Sequence, residues 1–280
     1  MLARFGWSFL VAVGLASPGW ADSLTEGREQ QSDLEGYLAT GDSVPFGFNP
    51  LVDFRNPRNF VGYPQQVRDE VDLEPYLNTA CPGETSGSFL SESAPDNGCR
   101  AFKAQFPLHD GFHPNEIQVV RDVRYLLLHR RTQLVTVMLG ANDLFLVAAA
   151  CLGVPACIQE RLPVALQAFG RNLAEIYSVF RAAGFHGQLV GVQYYSTDYN
   201  NPLTTGAVFA LNQVIADVTH AFGGSVADAF TPFFIASQAS GGDPCAAGLL
   251  IRLLAGGCDI HPSAAGRNLL ANAVEAVLRD

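Results

Sequence analysis

The chain has 280 residues, 48% hydrophobic and 16% charged, which fits one large globular domain and shows no internal repeat or low-complexity tract. Its formal net charge of −10, with Lys103 the only lysine, argues against nucleic acid as a partner, because that affinity rests on Lys and Arg neutralising phosphates. A chain of this length buries most of its unfolded surface, so its core needs no structural metal.

The N-terminus reads as a signal peptide over residues 1–21. Arg4 precedes an apolar run from Phe5 to Ala16, and Gly19 and Ala21 are the small residues of a cleavage site. That run is too short to span about 30 Å of hydrocarbon, no later stretch is long and apolar enough, and no Cys follows it to carry a lipid anchor. The expectation is a secreted protein, extracellular or periplasmic, with no integral membrane segment in the mature chain. Residues 22–36 are a polar leader and 37–280 the domain.

Tyr37-Leu38-Ala39-Thr40 predicts a short strand breaking at Gly41. Leu134 to Leu139 is a β-rich apolar run ending at Gly140, as in a strand buried on both faces. Gln188 to Gln193 repeats the pattern, and Ser225 to Phe230 repeats it more weakly. Helical periodicity runs over Glu116–Arg130, Leu162–Ala183, Leu203–Phe222 and Ser263–Leu278, the last with Ser263 as N-cap. Strands alternating with helices of this length imply crossover connections, hence a single-domain α/β/α sandwich of three layers around a mainly parallel sheet. The stretches between Cys81 and Cys99 and from Ala148 to Ala156 read as surface loops.

Export changes the reading of the six cysteines, since an even count in an oxidising compartment points to disulfides. They fall into sequence-local pairs, Cys81 with Cys99, Cys151 with Cys157 and Cys245 with Cys258, although six cysteines allow fifteen connectivities. No C-x-x-C occurs, which weighs against zinc and redox chemistry.

Four segments carry the chemistry. Gly41-Asp42-Ser43-Val44 follows the first strand, so a hydroxyl falls where a helix begins and amide groups favour negative charge. Asn78 to Ser86 contains Gly83, whose backbone N–H can face a cavity. Gly140-Ala141-Asn142-Asp143 follows the strongest strand and offers the Asn142 amide. Cys258-Asp259-Ile260-His261-Pro262 places an imidazole on a stiff turn before the last helix. Each alone is an ordinary turn or cap.

In order and context the four resemble the SGNH hydrolases, the GDSL esterase and lipase family, over essentially the whole mature chain. Gly41-Asp42-Ser43-Val44 is similar to the family's first block, with Val44 where Leu is usual. Gly83 matches the second block's glycine, Gly140-Ala141-Asn142-Asp143 the third block and His261-Pro262 the last. The Cys-Pro-Gly-Glu-Thr stretch and the cysteine layout look most like the secreted bacterial esterase branch.

The resemblance implies an SGNH/flavodoxin-like fold and an esterase or lipase that needs no cofactor or metal and takes a small-molecule or lipid ester, acting as a monomer. Ser43 would be the nucleophile, His261 its general base, and the N–H of Ser43, the N–H of Gly83 and the Asn142 side chain the oxyanion hole. The family places its acid three residues before the His, which here is Cys258; either Asp259 reaches the ring, or a main-chain carbonyl near Cys258 orients it. An acyltransferase or glycan O-deacetylase would use the same site, and a binder of acylated ligands the same cleft.

Other motifs carry less. The α/β-hydrolase elbow G-x-S-x-G is absent. His109 and His113 could be read as a metal-ligand pair, but Gly111 and Pro114 argue against a helix with both on one face, so a polar loop is the alternative; His129, His186 and His220 read as surface or helix-end residues. Phe46, Phe48, Leu144, Phe145 and Leu146 flank the motifs and are candidates for an acyl pocket or for core.

Overall fold

The structure, a computed structural model, describes residues 36–278; the expected signal peptide and all but the last residue of the expected leader lie outside them. Strand β1 (Tyr37–Gly41) leads into a one-turn helix α1 (Ser43–Phe46), then α2 (Tyr63–Val71) and strand β2 (Tyr76–Asn78). Short helices α3 (Ser86–Leu90) and α4 (Cys99–Lys103) precede α5 (Gln118–Leu128) and strand β3 (Leu134–Met138). Helices α6 (Ala141–Ala150) and α7 (Pro155–Ala182) follow, then β4 (Gln188–Val192), α8 (Pro202–Ala221), β5 (Ser225–Ala227) and α9 (Phe230–Ser237). A hairpin of β6 (Leu250–Arg252) and β7 (Cys258–Pro262) precedes α10 (Ala264–Leu278).

The five strands β1 to β5 form one sheet in the order β2-β1-β3-β4-β5, every neighbouring pair parallel. Every residue of β1 and β3 is buried, which requires helices on both faces and explains why their sequences run apolar without alternation. Helices α5, α7 and α8 pack together, and α2 packs on α10. The chain leaves β1 toward one edge of the sheet and β3 toward the other, so the gap beyond their carboxyl ends is the switch point where open α/β sheets hold ligands.

The long predicted elements are present with ends shifted by a few residues. The exception is α7, which starts at Pro155 rather than Leu162: Pro suits a first turn, and Pro163 is carried within the helix. The expected loop at 148–156 is mostly the end of α6 and the start of α7, joined by the Cys151–Cys157 disulfide. The stretch between Cys81 and Cys99 contains α3, whose Ser86, Ser88 and Phe89 are buried, so it is not simply a surface loop. Ser263 does cap α10, its hydroxyl accepting from Gly266 N–H at 3.3 Å. The pairs Cys81–Cys99 and Cys245–Cys258 are also bonded. Among the described residues no helix is long and apolar enough to cross a membrane.

Gly41 is the tightest point of the sheet. It pairs with Met138 across β1 and β3 at a φ of +136°, and a Cβ there would lie 2.0 Å from the Met138 carbonyl oxygen. Gly41→Ala therefore forces the two central strands apart and should cost on the order of 3 kcal/mol or more. Urea unfolding checks this, and an unchanged midpoint contradicts it.

Candidate active site

Ser43 is the first residue of α1, immediately after β1, and α1 is held by its own neighbour. The Asp42 carboxylate accepts from Val44 N–H at 3.0 Å, capping the helix, while Asp42 N–H donates to the Met138 carbonyl at 3.1 Å. Fully buried, Asp42 also accepts from the Tyr194 hydroxyl at 2.5 Å and from Asn142 Nδ2 at 3.4 Å. Burial pushes its carboxyl up to about 6, against the pull of Tyr194, Val44 N–H and the nearby His261. Three donors aimed at it favour the ionised form near neutral pH.

Asn142 sits in the first turn of α6, buried beyond the end of β3. Its Nδ2 donates to the Glu84 carbonyl at 2.9 Å, and its Oδ1 accepts from Asn97 Nδ2 at 2.9 Å. Asp143 beside it accepts from Ser86 N–H at 3.0 Å and Ser86 Oγ at 2.6 Å, tying α6 to the start of α3. Gly83 stands at φ +87° with its carbonyl accepting from Asn97 N–H at 2.8 Å; a Cβ there would lie 2.5 Å from the Asn97 carbonyl. Glycine is required because the chain at Asn97 passes over it. The Glu84 carboxyl, buried and bonded by Ser88 Oγ, is raised by burial to about 7.

His261 lies in strand β7 of the hairpin, not on an isolated turn. Its Nδ1 is hydrogen-bonded to Asp259 Oδ1, which also accepts from His261 N–H at 3.0 Å. Positions two apart on a strand point to one side, so an acid two residues before the His reaches the ring where one three before would face away. Partial burial favours a raised Asp259 pKa, but the imidazole and the backbone N–H hold it below its usual value. The Cys245–Cys258 disulfide ties down the start of β7, Tyr195 OH donates to the Ile260 carbonyl at 2.8 Å, and the Phe48 ring packs 4.9 Å from the imidazole.

One cavity, about 180 Å³, is bordered by Asp42, Ser43, Asn142 and His261. Gly83 is not among its lining residues. Of the flanking hydrophobics, Leu144 and Phe145 line it; Leu146 does not, and Phe46 is packed in a separate aromatic cluster with Phe60. His109 bonds to the Phe46 carbonyl and His113 to the Asp110 carbonyl, so both rings fasten the loop that carries them. The cluster of Cys81, Glu84 and Cys99 has ligand spacing, but its two sulfurs are bonded to each other.

Asp42 and Tyr194 are residues of the candidate site that sequence reasoning passed over. Asp42 read only as a turn or cap residue, and Tyr194 follows β4 with no motif around it. Tyr194 is placed by Asn212 of α8, which accepts from its N–H at 2.8 Å and donates to its carbonyl at 2.7 Å.

The model of the GDSL-like lipase/acylhydrolase family matches residues 22–269, and the chain belongs to that family of ester-hydrolysing enzymes. No curated protein matches the chain. Among solved structures it is similar to a phospholipase A1 from Streptomyces albidoflavus NA297, at 20% identity and a TM-score of 0.59 over 87% of this chain and 99% of that one. It is similar to an extracellular lipase from Streptomyces rimosus, at 17% identity and a TM-score of 0.58 over 86% and 99%. An acetylxylan esterase from Geobacillus stearothermophilus follows at 15% and 0.53, over 86% and 93%. At such identities the likeness speaks to the fold alone.

The Asp42 proton is held more tightly in the folded than in the unfolded chain, so this group's contribution to stability falls as pH rises from about 4 to 6. Tyr194→Phe removes a donor to the ionised form and deepens that fall. The variant should unfold close to wild type at pH 4 and about 1–3 kcal/mol more easily at pH 8. Urea titrations at the two pH values check it, and an equal difference at both contradicts it.

Proposed function

We propose that the protein is a secreted serine esterase or lipase that hydrolyses carboxylic esters through an acyl-enzyme at Ser43. The observation that carries this reading is the sharing of one cavity by Ser43, Asn142 and a His261 whose Nδ1 is already engaged by Asp259. With Nδ1 bonded to a carboxylate, the free Nε2 is the nitrogen left to act as a base.

His261 takes the Ser43 proton as Oγ attacks the ester carbonyl, and the carbonyl π electrons move onto oxygen. The Ser43 N–H and the Asn142 amide, both at the cavity, hold that oxyanion, and the Gly83 N–H, outside the lining, is the third donor that the family resemblance adds. The long 3.4 Å bond from Asn142 Nδ2 to Asp42 is the one that yields, since the 2.9 Å bond to Glu84 fixes the other amide hydrogen. Collapse breaks the bond to the leaving oxygen, which receives the proton from His261. Water, deprotonated by the same imidazole, then attacks the acyl-Ser43 carbonyl; collapse breaks the acyl–Oγ bond, Ser43 takes the proton back from His261, and the acid leaves. Asp259 stabilises the imidazolium in both halves. Three disulfides suit an oxidising compartment, which with the apolar N-terminal run supports secretion.

Hydrolysis of p-nitrophenyl esters tests the roles. Ser43→Ala and His261→Ala should fall to background, Asn142→Ala by about 10²–10³-fold in kcat with the fold intact, and Asp259→Asn by roughly 10³-fold or more. Near-full activity in Asp259→Asn removes it from the triad, and activity retained in Ser43→Ala removes the acyl-enzyme.

A further inference from the structure

Helix α6 runs Ala-Asn-Asp-Leu-Phe-Leu-Val-Ala-Ala-Ala, almost wholly apolar after its first turn, yet its only buried residue is Asn142. A helix apolar all round normally lies inside a core. Helix α7 has no buried residue before Phe169, and α8 none before Leu211, so the first halves of both also extend past the packed region. The exposed starts of α7 and α8 and the body of α6 frame one space. Leu144 and Ala148 of α6, Ile158 and Leu162 of α7, and Ala207 and Val208 of α8 all line the cavity that Ser43 and His261 border. The polar residues of that lining come mainly from the strand ends, the apolar ones from the three helices. The Cys151–Cys157 disulfide ties α6 to the first turn of α7, so the two walls stay together without a core beneath them.

We propose that this cavity is the site of the substrate's acyl chain and that it selects unbranched aliphatic chains of medium length over acetyl. The proposal rests on the Ser43 reading above, because it takes the acyl carbonyl to stand at that hydroxyl. Half-covered apolar walls in water gain free energy when a chain displaces the water, and each methylene buried is worth about fourfold in kcat/KM. An acetyl group has a single methyl beyond its carbonyl and so gains at most one such increment. Alanine at 148 and 207 leaves the space open, so depth depends on small side chains rather than on the catalytic groups.

The test compares p-nitrophenyl octanoate with p-nitrophenyl acetate in wild type, Ala207→Trp and, should tryptophan prevent folding, Ala148→Leu. Wild type should favour octanoate at least tenfold in kcat/KM. A folded blocking variant should lose at least tenfold on octanoate while acetate stays within about twofold. Octanoate unaffected in the folded variants, or both esters falling together, overturns the proposal. Binding of neutral 2-decanone and 2-butanone to the Ser43→Ala protein by calorimetry separates this claim from the catalytic one, since it needs no turnover. Decanone bound at least tenfold more tightly, with the preference lost when Ala207→Trp is added, supports the acyl site even if Ser43 is not the nucleophile. Equal or absent binding of both ketones refutes it.

Discussion

The site depends on how closely β1 approaches β3 at Gly41. Only a residue without Cβ lets that backbone meet the Met138 carbonyl, and the next N–H, from Asp42, bonds to the same oxygen at 3.1 Å. On the other side Cys81 N–H donates to the Gly41 carbonyl at 3.1 Å, which sets the chain that carries Gly83 and Glu84. Two residues after Gly41 stands Ser43; four residues after Met138 stands Asn142. Two strands in parallel register, diverging at a switch point, are therefore enough to bring a hydroxyl and an amide to the same opening.

A buried carboxylate holds the opening in shape. Asp42 gathers a helix N-terminus, a tyrosine hydroxyl and the Asn142 amide around one charge, and each donor comes from a different part of the chain. A charge removed from water survives only when hydrogen bonds replace its hydration, so the same network that satisfies Asp42 orients Asn142. The imidazole arrives from outside the main sheet, on a hairpin fastened by a disulfide and by Tyr195. Rigid tethering of that hairpin replaces the support a sheet strand would have given.

The fold was legible in the sequence where burial on both faces leaves an unbroken apolar run. Strands β1, β3 and β4 are of that kind, helices α5, α8 and α10 showed instead the three- and four-residue apolar spacing of a half-buried helix, and the bounds of all six shift by only a few residues. Strand β2 is three residues at the sheet edge, and β6 and β7 form a two-stranded hairpin of mixed burial, so neither left a periodic signal. At the candidate site, Ser43, Asn142 and His261 stand in short motifs, whereas Asp259 lies off the family's acid position and was left open against a main-chain carbonyl until its contact with the His261 ring was seen. Tyr194, Asn212 and Asn97 were not legible, since their roles arise from contacts between residues far apart in the chain. Helix α6 was hidden for another reason: an apolar stretch that borders a cavity looks in sequence like one that belongs to the core.

The central claim is that the hydroxyl at position 43 is made nucleophilic by the imidazole at position 261. Peptide mapping by mass spectrometry after treatment with an alkyl fluorophosphonate measures this directly. The account predicts one phosphonyl adduct, on Ser43, and none in the folded His261→Ala protein over the same time. An adduct on another serine, or equal labelling of Ser43 without the imidazole, would contradict it.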